Sequence, residues 1–287
     1  MAMVINTNIG SLNSQRQLNN TSSSLQTSME RLSSGLRVNS AKDDAAGLAI
    51  ADRMNSQIRG MTVATRNAND GISMAQTAEG AMGEITNTLQ RMRDLALQSA
   101  NDGAITGDDR NKLQEEFGEL GAELARIIQN TEFNGKKIIG GSLEAGTTIQ
   151  VGANTTADNQ ISIQVSGLSA VSGMESLAAA TGAQTASIGS DAGAAGALTT
   201  VASIDIAIEN IDTARAKLGA TQNRFTTTIA NLQSSIENQS AAMSRIMDTD
   251  FAAETAALSR NQILQQAGTA MLAQANQSGQ SVLSLLR

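Results

Sequence analysis

The sequence predicts a mainly α-helical protein: a long coiled-coil or helical bundle with paired N- and C-terminal helices and a small β-hairpin-containing insert. Three observations predict it. Apolar residues recur at three- and four-residue steps over very long stretches. Pro, the commonest helix breaker, is absent from all 287 residues. Large aromatics are nearly missing, with no Trp or Tyr and four Phe. Burial must therefore be spread along thin seams of aliphatic and Met side chains rather than gathered in one thick core.

The elements follow in order. Leu18, Leu25, Met29, Leu32 and Leu36 form a near-heptad stripe, with Ile5, Ile9 and Leu12 ahead of it. The residues between are mostly Asn, Gln, Ser and Thr, so an isolated helix this narrow needs a partner. Gly35 interrupts the pattern, Asn39–Asp44 reads as a break, and Ser40 or Asp43 is placed to cap the next helix. From Ala45 to about Ala100 the seam resumes through Ile58, Met61, Ala68, Ile72, Ala75, Met82, Ile85, Leu89, Met92 and Ala96. A helix of that span would run roughly 80 Å at the standard rise. Small residues at many seam positions imply close helix approach.

Asn101-Asp102-Gly103 ends that helix, and Thr106-Gly107-Asp108-Asp109 starts another with acids at its positive end. Leu113, Phe117, Leu120, Leu124 and Ile127 carry it to near Asn130, and Asn134-Gly135 marks a tight turn. Thr148–Val151 and Gln160–Val165 alternate with period two and read as the strands of a hairpin. Met174–Ala180 reads as a short helix, and the rest of 166–200 as loop. From Val201 a long helix carries Ile204, Ile208, Ile211, Leu218, Phe225, Ile229, Leu232, Ile236, Met243 and Met247. After Asp248-Thr249-Asp250 comes a last helix with Leu264, Gly268, Met271, Ala275, Val282 and Leu286. The organisation is nested. Segments 1–40 and 251–287 form an outer pair, 41–141 and 201–250 an inner bundle, and 142–200 a short insert.

Composition excludes much chemistry. Without His there is no Ser-His-Asp triad, HExxH zinc site or imidazole base, and without Cys no disulfide, zinc knuckle or thiolate nucleophile. Asp43-Asp44, Asp108-Asp109 and Glu115-Glu116 fit helix caps and solvated faces, not a cleft that tunes carboxylates. No phosphate-binding glycine loop occurs. No cofactor, no metal and no catalytic activity are therefore expected. A net charge of −7 without a basic stripe argues against nucleic acid. No run approaches the ~18 apolar residues of a membrane helix, so membrane insertion is not expected. The opening MAMVINTNIG lacks the features of a cleaved leader. That fits a cytoplasmic protein or one exported by a route without a cleaved signal.

The polar, low-charge ends are the informative feature. Residues 1–40 carry Arg16, Arg31 and Arg37 against Glu30, and residues 251–287 carry Arg260 and Arg287 against Glu254. Two such helices bury too little to stand alone and are expected to fold within an assembly. Repeating one contact without closure gives a helical filament. The seam residues assigned to assembly are Leu18, Leu25, Leu32, Leu36, Leu264, Met271, Val282 and Leu286.

Specific motifs then carry a resemblance. Val4–Asn8, Glu30–Gly47 (ERLSSGLRVNSAKDDAAG) and Arg66–Ser73 (RNANDGIS) match one end of a family. Ser259–Thr269 (SRNQILQQAGT), Leu272–Gln277 and Val282–Arg287 (VLSLLR) match the other. Over about 1–135 and 201–287 the chain resembles bacterial flagellin, the filament subunit of the flagellum. The resemblance implies terminal helices in an inner coiled-coil layer, export through the flagellar type III apparatus to the extracellular filament, and polymerisation under a cap. It implies as partners further copies of the chain, the flagellar cap and hook-associated proteins, and an export chaperone on the C-terminal segment. It also implies a Toll-like innate receptor, contacted through Gln90, Arg91, Asp94 and Leu95 with Glu116 on the following helix. Asp94 stands where many members carry Glu, and Ser278-Gly279 where many have Val-Pro. The insert is short enough that separate outer domains are not expected. A hook–filament junction protein shares the terminal pattern and is the nearest alternative, and an intracellular coiled-coil adaptor is a more distant one. The metalloprotease insert of some flagellins is excluded by the absence of His.

Overall fold

The computed structural model describes residues 7–140, 146–164, 174–177 and 186–285, without the side chains of Glu175 and 278–285. Along these residues run α1 (Ile9–Ser34), α2 (Ala45–Ser99), α3 (Gly107–Asn130), β1 (Glu132–Phe133), β2 (Lys136–Lys137), β3 (Thr147–Gln150), β4 (Gln160–Ile163), α4 (Met174–Leu177), α5 (Gly193–Met247) and α6 (Phe251–Leu285). The described chain is therefore mainly helical with the β3–β4 hairpin, as its periodicity predicts, and the expected Asn134-Gly135 turn proves to join a second hairpin, β1–β2. It divides into two compact units, one formed by 1–58 with 237–287 and the other by 59–236.

The first unit joins the two ends of the chain. Its centre is α1 against α6. Asn8 caps α1 by accepting from the Ser11 amide at 3.1 Å and donates through Nδ2 to the Ala275 carbonyl at 2.7 Å. At the other end of α1, Gly35 turns left-handed (φ 74°) and stops the helix. Leu36, expected in the helical seam, thus lies beyond it, bridged in antiparallel fashion to Asp248. The Thr249 amide donates to the Gly35 carbonyl at 2.9 Å, and the Arg37 guanidinium to the Ile246 carbonyl at 2.6 Å. The cap of α2 is Asp44, not Ser40 or Asp43: its Oδ1 accepts from the Gly47 amide at 2.8 Å. Asp43 instead closes the preceding turn, accepting from the Ser40 amide and hydroxyl and the Asn39 amide.

The second unit holds the apolar core. Met82, Ile85, Leu89 and Met92 from α2, Phe117, Leu124 and Ile128 from α3, and Ile204, Ile211, Leu218 and Phe225 from α5 are all buried. Ala68, Ala75, Ala78 and Ala96 lie between them, and their small side chains allow close approach. Thr106 caps α3 by accepting from the Asp109 amide. The Asn134-Gly135 pair joins β1 to β2 with φ of 50° and 74°, the positive pair that a two-residue hairpin of matching twist requires. β3 and β4 pair antiparallel with Ile149 opposite Ile161, and Ile161 and Ile163 point inward while Gln160 and Ser162 face out. This hairpin packs on α2, where Asn67 donates to the Gln150 carbonyl at 3.1 Å.

Some expectations need correction. The last long helix of the bundle starts at Gly193, eight residues before Val201, because its Ala-rich first turns favour helix and bury Ala197 and Thr200. One window of this helix is long and apolar enough on average to cross a membrane, although it holds no unbroken apolar run of that length, and Ile204, Ala207 and Ile211 are buried inside the unit. Of the expected short helix, Met174–Leu177 is present, and residues 178–180 lie outside the described residues. Val165 of the expected strand lies outside them as well.

Candidate functional site

Two surfaces collect the residues singled out by sequence, one on each unit. On the first unit α1 turns Leu18, Leu25 and Leu32, all half-buried, toward α6, with Thr21 and Ser28 fully packed between them. The Thr21 hydroxyl donates to the Gln17 carbonyl at 2.9 Å, so its burial leaves no unmet donor. From α6 the facing residues are Leu258, Asn261, Gln265, Gly268, Leu272 and Ala275. Gly268 is the close point: a Cβ there would lie 3.3 Å from Leu18 Cδ1. Arg31 and Glu254 close the pair at 3.7 Å.

This arrangement divides the expected seam. Leu18, Leu25 and Leu32 pack inside the pair, whereas Leu264 and Met271 point away from it, exposed. The sequence reading puts Leu264 and Met271 on one seam with Gly268 and Ala275, but only Gly268 and Ala275 of these face α1, together with Leu258 and Leu272. The side chain of Val282 and the whole of Leu286 lie outside the described residues. Ile9, Leu12 and Met29 on α1 and Phe251 and Ile263 on α6 are exposed as well, with Ile9 69% and Ile263 66% accessible. Phe251 and Ile263 were not singled out by periodicity, since each falls off the stripe traced by its stronger neighbours. The result is a two-helix rod satisfied along one line and bare along others.

On the second unit, α2 and α3 bring Arg91 and Glu116 together. The Arg91 Nε and Nη2 both donate to Glu116 Oε1, at 3.0 and 2.6 Å, and both side chains are exposed. Gln90 and Asp94 are exposed on the same helix as Arg91. Leu95 is not: at 2% accessibility it belongs to the core, beneath this surface rather than on it. Beside it, Arg93 donates to Asp205 of α5 at 2.7 Å, and that hydrogen bond holds the guanidinium pKa above its usual range. Nothing in the sequence pairs Arg93 with Asp205, since the two are 112 residues apart. Among the described residues no group of three or more acidic side chains is placed to hold a metal ion.

Comparisons with known proteins place the chain in a family. The family model of the bacterial flagellin N-terminal helical region matches residues 5–144, and that of the C-terminal helical region matches 201–286. The chain belongs to the bacterial flagellin family. It is 43% identical to flagellin of Bacillus subtilis, over 99% of this chain and 100% of that protein. It is 41% identical to flagellin D of Vibrio anguillarum, over 100% of both. A solved structure from Vibrio parahaemolyticus described as flagellar hook-associated shares the fold, with a TM-score of 0.59 over 72% of this chain and 100% of that one at 12% identity. The two family matches lie either side of residues 145–200 and cover α1, α2, α3, α6 and α5 from Val201 onward.

Proposed function

We infer that the chain is a structural subunit of the extracellular bacterial flagellar filament, assembling with copies of itself. The observation that carries the mechanism is the exposed apolar set on the α1–α6 rod: Ile9, Leu12, Met29, Phe251, Ile263, Leu264 and Met271. Copies packed side by side would remove these side chains from water, with about 25 cal/mol gained per Å² of apolar surface covered. A heterologous contact of this kind whose rotation does not close gives, on repetition, an open helical polymer. The inner pair 1–40 and 251–287 is the assembling part in this reading, and 41–141 with 201–250 the supporting bundle. The expected seam residues act in two ways: Leu18, Leu25 and Leu32 hold the pair together, and Leu264 and Met271 meet neighbouring copies.

The finer roles rest on the resemblance. The chain is exported by the flagellar route, held by an export chaperone on its C-terminal segment, and placed between hook-associated and cap proteins. It has a mechanical rather than a catalytic role. A Toll-like innate receptor reads Gln90, Arg91, Asp94 and Glu116, with Leu95 supporting them from below. The test of the central reading is seeded polymerisation of the purified chain, followed by electron microscopy. Wild type should form long filaments. Ile263→Ser with Leu264→Ser should keep the helicity of the monomer and raise the critical concentration about tenfold or more. A wild-type chain that stays monomeric under seeding refutes the reading, as does unchanged polymerisation of the double variant.

A further inference from the structure

The methionines of this chain fall into distinct environments. Met61, Met74, Met82, Met92 and Met174 are buried. Met29 and Met271 are 51% and 62% exposed, both on the α1–α6 rod and both turned away from the line along which those helices pack. We propose that Met29 and Met271 are oxidation sites of the free subunit, and that their sulfoxides block polymerisation. The proposal rests on the filament reading above, since it requires this face to become dry on assembly.

The chemistry needs a hydroperoxide, with hydrogen peroxide as the simplest case. The thioether sulfur attacks the outer peroxide oxygen, the O–O bond breaks, the S–O bond forms, and water leaves. Sulfur is oxidised and the peroxide reduced. The product is reversible by methionine sulfoxide reductases. The change is small in volume and large in polarity. A flexible apolar side chain becomes a dipole with a strong acceptor, which is costly to bury when a neighbouring copy covers it. Accessibility sets the selectivity, because the five buried sulfurs are screened by the helices packed around them.

The experiment uses the full chain as a monomer, treated with hydrogen peroxide to partial oxidation and mapped by peptide mass spectrometry. Met29 and Met271 should carry sulfoxide well before the buried five. Fully oxidised monomer should show a critical concentration raised about tenfold, restored by reductase treatment. Leu is close to Met in volume and helix propensity, so Met29→Leu with Met271→Leu should polymerise normally and stay competent after the same oxidant. If that variant assembles poorly even unoxidised, the partly oxidised wild type decides. Sulfoxide at the two positions should be depleted in pelleted filaments relative to the remaining soluble chain. Equal sulfoxide content in both fractions overturns the proposal, as does a competent Leu variant that loses assembly on oxidation as fully as wild type. Failure of unoxidised wild type to polymerise refutes the filament reading instead, so the two failures are distinguishable.

Discussion

A single methyl group at Gly71 tests how tightly the second unit is packed. Gly71 sits on α2 beneath the β3–β4 hairpin and opposite α5. A Cβ built there would lie 2.8 Å from Ile149 Cδ1, and 2.9 and 3.2 Å from Phe225 Cζ and Cε1. Comfortable carbon contacts are about 3.5–4.0 Å. Ile149 is half-buried and its terminal methyl can swing aside. The Phe225 ring is fully buried and cannot retreat without displacing its neighbours. Overpacking of this kind costs about 1–3 kcal/mol. Ala in place of Gly returns up to about 1 kcal/mol of helix propensity. Gly71→Ala should therefore destabilise the monomer by about 1–2 kcal/mol. Phe225→Leu removes the ring edge and should itself cost about 1–2 kcal/mol. It also opens room for the new methyl, so the double variant should lose about 1 kcal/mol less than the sum of the two. The assay is urea unfolding of the monomer followed by circular dichroism, with the slope checked for constancy. A Gly71→Ala chain more stable than wild type would refute the packing argument, as would strict additivity in the double variant.

Further expectations concern the other surfaces. Arg91→Ala breaks an exposed ion pair, so the melting temperature should barely move, while half-maximal activation of a Toll-like receptor reporter should rise about tenfold, the cost of one good contact. Leu95→Ala should do the opposite, losing about 2–5 kcal/mol of monomer stability by denaturant unfolding with no receptor defect beyond that instability. Asp44→Ala should cost about 1 kcal/mol as a lost helix cap, seen as faster amide exchange in the first turn of α2. The Asp109 carboxyl is held below the usual carboxylate range by the Thr106 hydroxyl and then by Lys112. Its contribution is present above the ordinary unfolded Asp value and is lost as pH falls through the lowered folded value. Acidification should thus loosen the start of α3, and Thr106→Ala should weaken that pH dependence in an amide-exchange titration.

Much of the fold is legible because helical periodicity survives in a chain without Pro. The α2 seam through Met82, Ile85, Leu89 and Met92 is apolar, evenly stepped and buried as read. The β3–β4 hairpin is legible for the same reason, since Ile161 and Ile163 alternate with polar neighbours. Periodicity fails where the partner decides which stripe is used. On α6 Leu264 and Met271 are exposed, and the line through Leu258, Gly268, Leu272 and Ala275 meets α1 instead. Leu95 was misplaced for a related reason. A motif marks a stretch of helix, but only the third dimension tells which of its residues face outward. The resemblance names Arg91 and Glu116 as receptor contacts but not as partners of each other, and both the Arg91–Glu116 and Arg93–Asp205 pairs needed the packing of helices to be seen.

The joining of the two chain ends in one unit has a consequence for the order of events as the polypeptide is made and moved. Asn8 and Ala275 meet across 267 residues. Closing so long a loop is entropically costly, and it becomes cheaper once residues 59–236 have folded locally and shortened the path between the ends. The middle should therefore form first and the ends zip last. A chain with only one of its two ends available cannot complete the rod. Completion of the α1–α6 rod is thus tied to the presence of both ends, and so, on the filament reading proposed above, is the surface that would meet the next copy.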